Sequence, residues 1–235
     1  MITIAGLDTA TDDVSVAVVC GDDVVDERLI ERPDGARPRH AESLLVELEA
    51  AVVTAGGWEA VDRLAVGVGP GSFTGLRVGL STARAIAQAL GKPVVPVGTL
   101  AALAEGIAEV AGRAGADGAR LAVLDGRRGE AFAALLDAGG AELWAPFVAP
   151  PEALADRIRG LAPSPLAGGS GALRFRGELE AAGAEVPPDS SPAHRVWARH
   201  VCRLAANGAP QPPEAIQPIY LRPPDAQVWL ERDSP

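Results

Sequence analysis

The sequence predicts an α/β protein, and three observations predict it. Apolar runs of strand length, such as Ile2 to Leu7 and Leu64 to Val68, are interleaved with stretches of helical periodicity, such as His40 to Val53. Gly, Asp and Pro punctuate the boundaries between them. The 235 residues are 48% apolar and 22% charged, the balance of an ordinary globular chain. That length allows one large domain or two of roughly 100 to 130 residues, each able to bury its own core.

The elements follow in order. Ile2 to Leu7 reads as a buried strand, Asp8 to Asp13 as a polar turn, and Val14 to Val19 as the returning strand. Gly21-Asp22-Asp23 is a second turn and Val24 to Ile30 a third strand, so the chain opens on an antiparallel meander. Glu31 to Pro38 is a loop. His40 to Val53 has helical spacing, with Leu44, Leu45, Leu48 and Val52 on one face and Glu42, Glu47 and Glu49 mostly off it. Gly56-Gly57 ends that helix; Leu64 to Val68 is a strand, Gly69 to Thr74 a loop, and Gly75 to Leu90 a second helix closed by Gly91. Val94 to Val97 is a strand and Leu100 to Val110 a helix. Strand, strand, strand, helix, strand, helix, strand is the order of a ribonuclease-H-like unit.

Gly112 to Gly118 reads as a linker, dividing the chain into residues 1–111 and 112–235. Beyond it the opening pattern returns: Leu124-Asp125, a polar turn and Ala131 to Leu135 repeat Leu7-Asp8, a turn and Val14 to Val18, at an offset of 117. Leu166 to Gly171 suggests a short strand and Gly-rich turn. Ser191-Pro192 starts a helix whose apolar face carries Trp197, Val201, Leu204 and Ala205 and which ends at Asn207-Gly208. Pro218 to Pro223 reads as a short strand, and the last residues are expected to be loose.

Charge and cysteine content restrict function. A net charge of -10 repels phosphate backbones, so work on nucleic acid would need a partner's basic surface. Cys20 and Cys202 supply no disulfide framework, which suits a reducing cytoplasm. The N-terminus lacks a basic segment followed by an apolar one, and no apolar run approaches the ~20 residues of a membrane span.

The most informative segment is Gly67-Val68-Gly69-Pro70-Gly71-Ser72-Phe73-Thr74-Gly75-Leu76-Arg77-Val78-Gly79, a strand feeding a Gly-rich loop that opens a helix. Such a loop can aim N–H groups at an anion, or its glycines can serve a tight, close-packed turn. The Walker spacing is not met. In the helix itself Gly75, Gly79, Ala83 and Ala87 form a stripe of small residues, although glycine costs a helix about 1 kcal/mol relative to alanine. A neighbouring backbone approaches there, either inside the domain or from another chain, and Leu76 and Leu80 flank the stripe.

Five blocks in order resemble the TsaB (YeaZ) family. They are LDTATDDVSVAV, RHAESLL, GVGPGSFTGLRVGLSTARAIA, LDGRRGEAFAAL and PIYLRPPDA, spanning residues 2–226. The resemblance implies an actin-like (ASKHA) fold of two ribonuclease-H-like halves, the second reduced. It implies a non-catalytic subunit of the complex that transfers threonylcarbamoyl from its adenylate to the tRNA adenosine 3′ of the anticodon. Its partners would be a TsaD-like catalytic paralogue, a TsaE-like ATPase and, through the complex, tRNA; some family members also form homodimers. The family's subunit contact maps onto His40, Leu44, Leu48, Gly75, Leu76, Gly79, Leu80 and Ala83. In kinases of this fold class an Asp after the first strand of each half organises metal and nucleotide. Asp8 and Asp125 stand there, and with Gly69, Gly71, Ser72 and Thr74 they would outline a residual ATP or ADP cleft. Arg127-Arg128 offers Asp125 an alternative partner, and a turn-forming role is the simpler account of both acids.

A catalytic set is not visible. The catalytic paralogue holds a metal through a His-x-x-x-His pair, where this chain reads Val97-Gly98-Thr99-Leu100-Ala101-Ala102-Leu103, without a ligand side chain. A transition metal needs about three or four such groups. His40, His194 and His200 are not spaced as a pair; the last two, six apart on one expected helix, would lie on opposite sides, partly exposed and structural. Asp12, Asp13, Asp22 and Asp23 sit in hairpin turns where Asp is favoured. Ser72 and Thr74 lack a relay and read as helix-capping hydroxyls. No cofactor, no metal and no membrane are expected. The rival functions are a metallopeptidase of the related glycoprotease group, which metal analysis tests, and an actin-like-fold kinase or ATPase, which tight ATP binding by the isolated chain tests.

Overall fold

A computed structural model of the chain describes residues 1–32, 40–114 and 118–222. The expected loop at 31–38, the linker at 112–118 and the C-terminal tail fall partly or wholly outside the described residues.

The opening meander is β1 (Thr3–Asp8), β2 (Val14–Cys20) and β3 (Asp23–Ile30). Helix α1 (His40–Thr54), β4 (Arg63–Gly67), α2 (Phe73–Leu90), β5 (Val94–Val97) and α3 (Thr99–Ala114) follow. The sheet order is β3-β2-β1-β4-β5, with β4 and β5 parallel to β1, as in a ribonuclease-H-like unit. A second meander repeats it: β6 (Arg120–Asp125), β7 (Ala131–Leu136) and β8 (Glu142–Ala149). Then come α4 (Pro151–Ile158), β9 (Leu166–Gly168), α5 (Ser170–Arg174) and α6 (Arg176–Ala181). This sheet has the order β8-β7-β6-β9 and no counterpart of β5 among the described residues. The final helix is α7 (Ala198–Ala206).

Both sheets are apolar on both faces because each is sandwiched between layers. In β2, Val14, Val16 and Val18 face an outer core shared with α1 and α2, whereas Ala17 and Val19 face inward. In β6, Leu121 and Val123 pack outward with α4 to α6, and Ala122 and Leu124 inward. The inner faces share one core with α3 and α7, which lie between the sheets.

Several expectations are corrected. Register pairs Asp8 with Ser15 but Asp125 with Ala131, so the second turn is one residue shorter and the repeat offset, 117 for β1 and β6, becomes 116 for the returning strands. Helix α3 runs past Gly112 to Ala114. The expected helix from Ser191 is split: Ser191 caps a short 3-10 turn, Pro192–His194, and α7 starts only after Trp197. Pro218 to Arg222 is not a strand; it holds to the first half through Ile219 N–H to Val68 O at 2.7 Å. The chain after α7 returns to the first sheet, where Gln211 bridges to Val94, Ile216 is buried in the outer core and Arg84 donates to the Ile216 carbonyl.

Candidate functional site

A cleft of about 860 Å³ opens where the two halves meet at the C-terminal ends of β1 and β6. Its walls come from the β1–β2 turn, the loop before α2, the β6–β7 turn, the 3-10 turn around His194 and the segment Ile219 to Arg222. The position is the one expected of an α/β ligand site.

Of the six residues expected around a nucleotide, Gly71, Ser72, Thr74 and Asp125 line this cleft and Asp8 and Gly69 do not. Asp8 is buried, 2% exposed, behind the cleft rather than on its wall. Its Oδ1 accepts from Ala10 N–H at 2.8 Å and its Oδ2 from the Thr99 hydroxyl at 2.7 Å. Burial nonetheless raises its pKa to about 6. Asp125 does reach the cleft, but Arg174 clamps both of its oxygens at 2.8 and 2.9 Å, and Arg127 offers it only a backbone N–H. The Arg127 side chain goes elsewhere, to Asp12 at 2.6 Å.

The Gly-rich loop is close-packed. A Cβ on Gly71 would stand 2.3 Å from Ala10 O, and Ser72 N–H donates to that same carbonyl at 2.6 Å. Gly69, at φ +98°, sends its N–H to Thr99 Oγ1 at 3.1 Å. Two N–H groups that a phosphate would need are thus engaged, which favours the tight-turn account. Ser72 caps α2 by accepting from Gly75 N–H at 3.2 Å; Thr74 lies exposed in the first turn without that role.

The expected contact residues are core residues of this chain, and of them Leu44 also lines the groove between α1 and α2. His40, Leu44, Leu48, Gly75, Leu76, Gly79, Leu80 and Ala83 are all buried inside this chain. Cβ atoms on Gly75 and Gly79 would lie 1.9 Å from Thr9 O and 2.3 Å from Thr9 Oγ1, so the small-residue stripe seats α2 on the β1–β2 turn. His40 Nε2 meets Thr11 O at 2.8 Å. What these helices leave outside is a second apolar set: Leu45, placed by periodicity on one face with Leu44, is 54% exposed, and Val46 and Val53, which periodicity did not single out, are 65% and 63% exposed. A groove between α1 and α2 is lined by Ala41, Leu45 and Val78 and bounded by Phe73 and Arg77. The sequence signal was present, since LLVELEAAVV carries more apolar residues than one helix face can bury.

The remaining candidates separate. Asp12 and Asp13 stand at one end of β2 and Asp22 and Asp23 at the other, about 20 Å apart at strand rise. Asp12 pairs with Arg32 and Arg127, Asp13 with Arg195. His194 and His200 occupy different elements and are buried, not partly exposed. Burial, then Arg199, lowers the His200 pKa to about 4; its Nε2 is 3.3 Å from Glu109 Oε2 but off the hydrogen-bond line. Among the described residues no three His, Cys, Asp or Glu side chains form a metal-holding group, and no helix is long and apolar enough to cross a membrane.

Comparison with known proteins agrees with this architecture. The family model described as TsaD: tRNA N6-adenosine threonylcarbamoyltransferase matches residues 30–154, just over half of the chain. An uncharacterized protein of Mycobacterium tuberculosis is 35% identical over 230 residues, covering 96% of this chain and 94% of the relative. The tRNA threonylcarbamoyladenosine biosynthesis protein TsaB of Escherichia coli is 29% identical over 227 residues, covering 93% and 94%. The solved structure of YeaZ from Pseudomonas aeruginosa superposes with a TM-score of 0.75 at 27% identity, covering 94% of this chain and all of that one. The fold is of the actin-like class. With the two ribonuclease-H-like sheets and the Gly-rich loop seated on the first of them, these matches establish that the chain belongs to the TsaB/YeaZ family of tRNA threonylcarbamoyladenosine biosynthesis proteins.

Proposed function

We propose that this chain is a non-catalytic, activating subunit of a tRNA threonylcarbamoyl-transfer complex, and that it docks a TsaD-like catalytic paralogue on the outer face of α1 and α2. The observation that carries the reading is the exposed apolar surface of Leu45, Val46 and Val53, with half-buried Val78 in the groove beside Phe73 and Arg77. Exposed apolar patches of this kind mark interaction sites, and aromatic and Arg side chains are enriched at interface centres. A TsaE-like ATPase and tRNA join through the complex, in the cytoplasm. The chain works without a metal or cofactor of its own, and a homodimer would use the same face. Activation follows if the paralogue's active conformation binds this face better than its inactive one.

The test is reconstituted tRNA modification with the paralogue, the ATPase and the adenylate donor, with and without this chain. Product should require it, and the chain alone should make none. Leu45→Asp should abolish complex formation while leaving the isolated chain's stability unchanged. An intact complex in that variant would refute the mapped face.

A further inference from the structure

The α1–α2 groove does not end at α2. Phe73, Thr74 and Arg77 line both the groove and the cleft between the halves, forming a ridge that joins the two. On this ridge the Arg77 guanidinium lies 3.8 Å above the Phe73 ring, and the Tyr220 ring, also in the cleft wall, packs 5.2 Å from Phe73. Phe73 is 37% and Tyr220 40% exposed, so the aromatic surface is open.

The charges divide in the same place. Six arginines and four carboxylates line the cleft of a chain whose net charge is -10. Arg32, Arg127, Arg195 and Arg222 are paired with carboxylates of this chain. Arg77 has no carboxylate partner among the described residues; its partner is the Phe73 ring. Deeper in, His194 is 4% exposed, and its Nε2 lies 3.1 Å from the Pro187 carbonyl, which can only accept. With Nε2 donating there, Nδ1 is left without a hydrogen-bond partner among the described residues. An unpaired buried acceptor is costly, and His194 is part of the cleft lining.

We propose that the cleft receives an extended acidic segment of the protein partner that sits on α1 and α2. The segment crosses the Phe73–Tyr220 ridge, places an Asp or Glu carboxylate on Arg77, and offers an N–H or O–H donor to His194 Nδ1. This rests on the docking reading above and extends it. A peptide carrying one carboxylate suits the cleft better than a nucleotide, because four of the six cleft arginines are already neutralised by carboxylates of this chain. The loop N–H groups of Gly69 and Ser72 are also already committed.

The experiment uses the full chain with the TsaD-like paralogue. A photo-crosslinking benzoylphenylalanine is placed at Tyr220, and the linked peptide is identified by mass spectrometry. Binding is measured in parallel for Arg77→Glu, Arg77→Lys and Leu45→Asp. The expected result is a crosslink to an acidic segment of the paralogue. Arg77→Glu should weaken binding by about tenfold or more, roughly 1.4 kcal/mol, and Arg77→Lys by less. A complex of undiminished affinity in Arg77→Glu, or the absence of a crosslink from Tyr220, would overturn the proposal, and loss of binding in Leu45→Asp would show that the docking face itself survives. Suppression of the crosslink by millimolar ADP without dissociation of the complex would assign the cleft to a nucleotide and also overturn it. If instead Leu45→Asp binds normally, the docking face is wrong, and the Tyr220 crosslink still judges the cleft on its own.

Discussion

Arg127 of the second half reaches Asp12 of the first, with Nη2 2.6 Å from Oδ1, and so ties together the hairpin turns that carry the acids of the two repeats. The same arginine holds a left-handed backbone, φ +61°, which costs a non-glycine residue about 1 kcal/mol or more. Its side chain is 56% exposed, and an exposed pair contributes only about 0–1 kcal/mol. Arg127→Gly should therefore be at least as stable as Arg127→Ala, by up to about 1 kcal/mol, because glycine relieves the backbone that alanine leaves strained. Urea denaturation of both variants decides it, and an alanine variant clearly the more stable would show that the turn carries no such strain.

The approach of α2 to the β1–β2 turn gives a second prediction. Gly75→Ala and Gly79→Ala should each destabilise the fold by about 1–3 kcal/mol or more, since close-packed interiors resist added volume. The two differ in what stands in the way. At Gly79 it is the Thr9 hydroxyl, and at Gly75 the Thr9 carbonyl. Adding Thr9→Ala should recover part of the loss in Gly79→Ala and none in Gly75→Ala. Equal recovery in both thermal melts would contradict this packing.

Asp8 and His200 should impose opposing pH dependences. The Asp8 pKa is raised in the fold, from 3.8 to about 6, so the folded state holds a proton that the unfolded chain has released. Its effect on stability is most favourable below pH 4 and is lost as pH rises to about 6, by about 3 kcal/mol in all. The His200 pKa is lowered, from 6.5 to about 4. Its contribution is present above pH 6.5 and is lost as pH falls toward 4, by a similar amount, about 3 kcal/mol. The two slopes offset each other in the native chain. Asp8→Asn should expose a stability that rises from pH 4 to 6.5, and His200→Gln one that falls over the same range. Denaturation profiles of the two variants that do not diverge would exclude the pairing.

The cysteines should report separately. Cys202 is fully buried, and burial, then the charge of Glu27, pushes its thiol well above the usual range, whereas Cys20 is half-buried. Ellman's reagent should modify one thiol per native chain and both in urea, because the thiolate is the reactive form. Two thiols reacting promptly in the native chain would mean that α7 opens readily from the first sheet.

Much of the architecture was legible along the chain. The first meander, the first hairpin of the second, α1, α2 and the strand before the Gly-rich loop were recoverable, because a period of two or 3.6 is written in consecutive residues. From 142 to 181 only the short strand at Leu166 was, because the helices there are short and β8 is at a sheet edge, where apolar periodicity is weakest. The break before α7 was also hidden. A proline and a capping serine announce the start of a helical turn, but the return to extended backbone at Arg195 comes from seating Val196 and α7 between the sheets.

By itself the sequence determined that two like α/β units follow one another, that a Gly-rich loop opens α2, and that small residues at Gly75 and Gly79 admit a backbone. Only the tertiary structure decided whose backbone that is. Thr9 of the same chain fills the space, so the buried stripe is internal and the opposite set, Leu45, Val46 and Val53, is left at the surface. The tertiary structure also gave Asp125 to Arg174, 49 residues away, and left Arg77 without a carboxylate among the described residues. The physical reason is common to all of these. Periodicity and turn chemistry act between neighbours in sequence, whereas which face is covered and which charge is paired depend on layers brought together from distant parts of the chain.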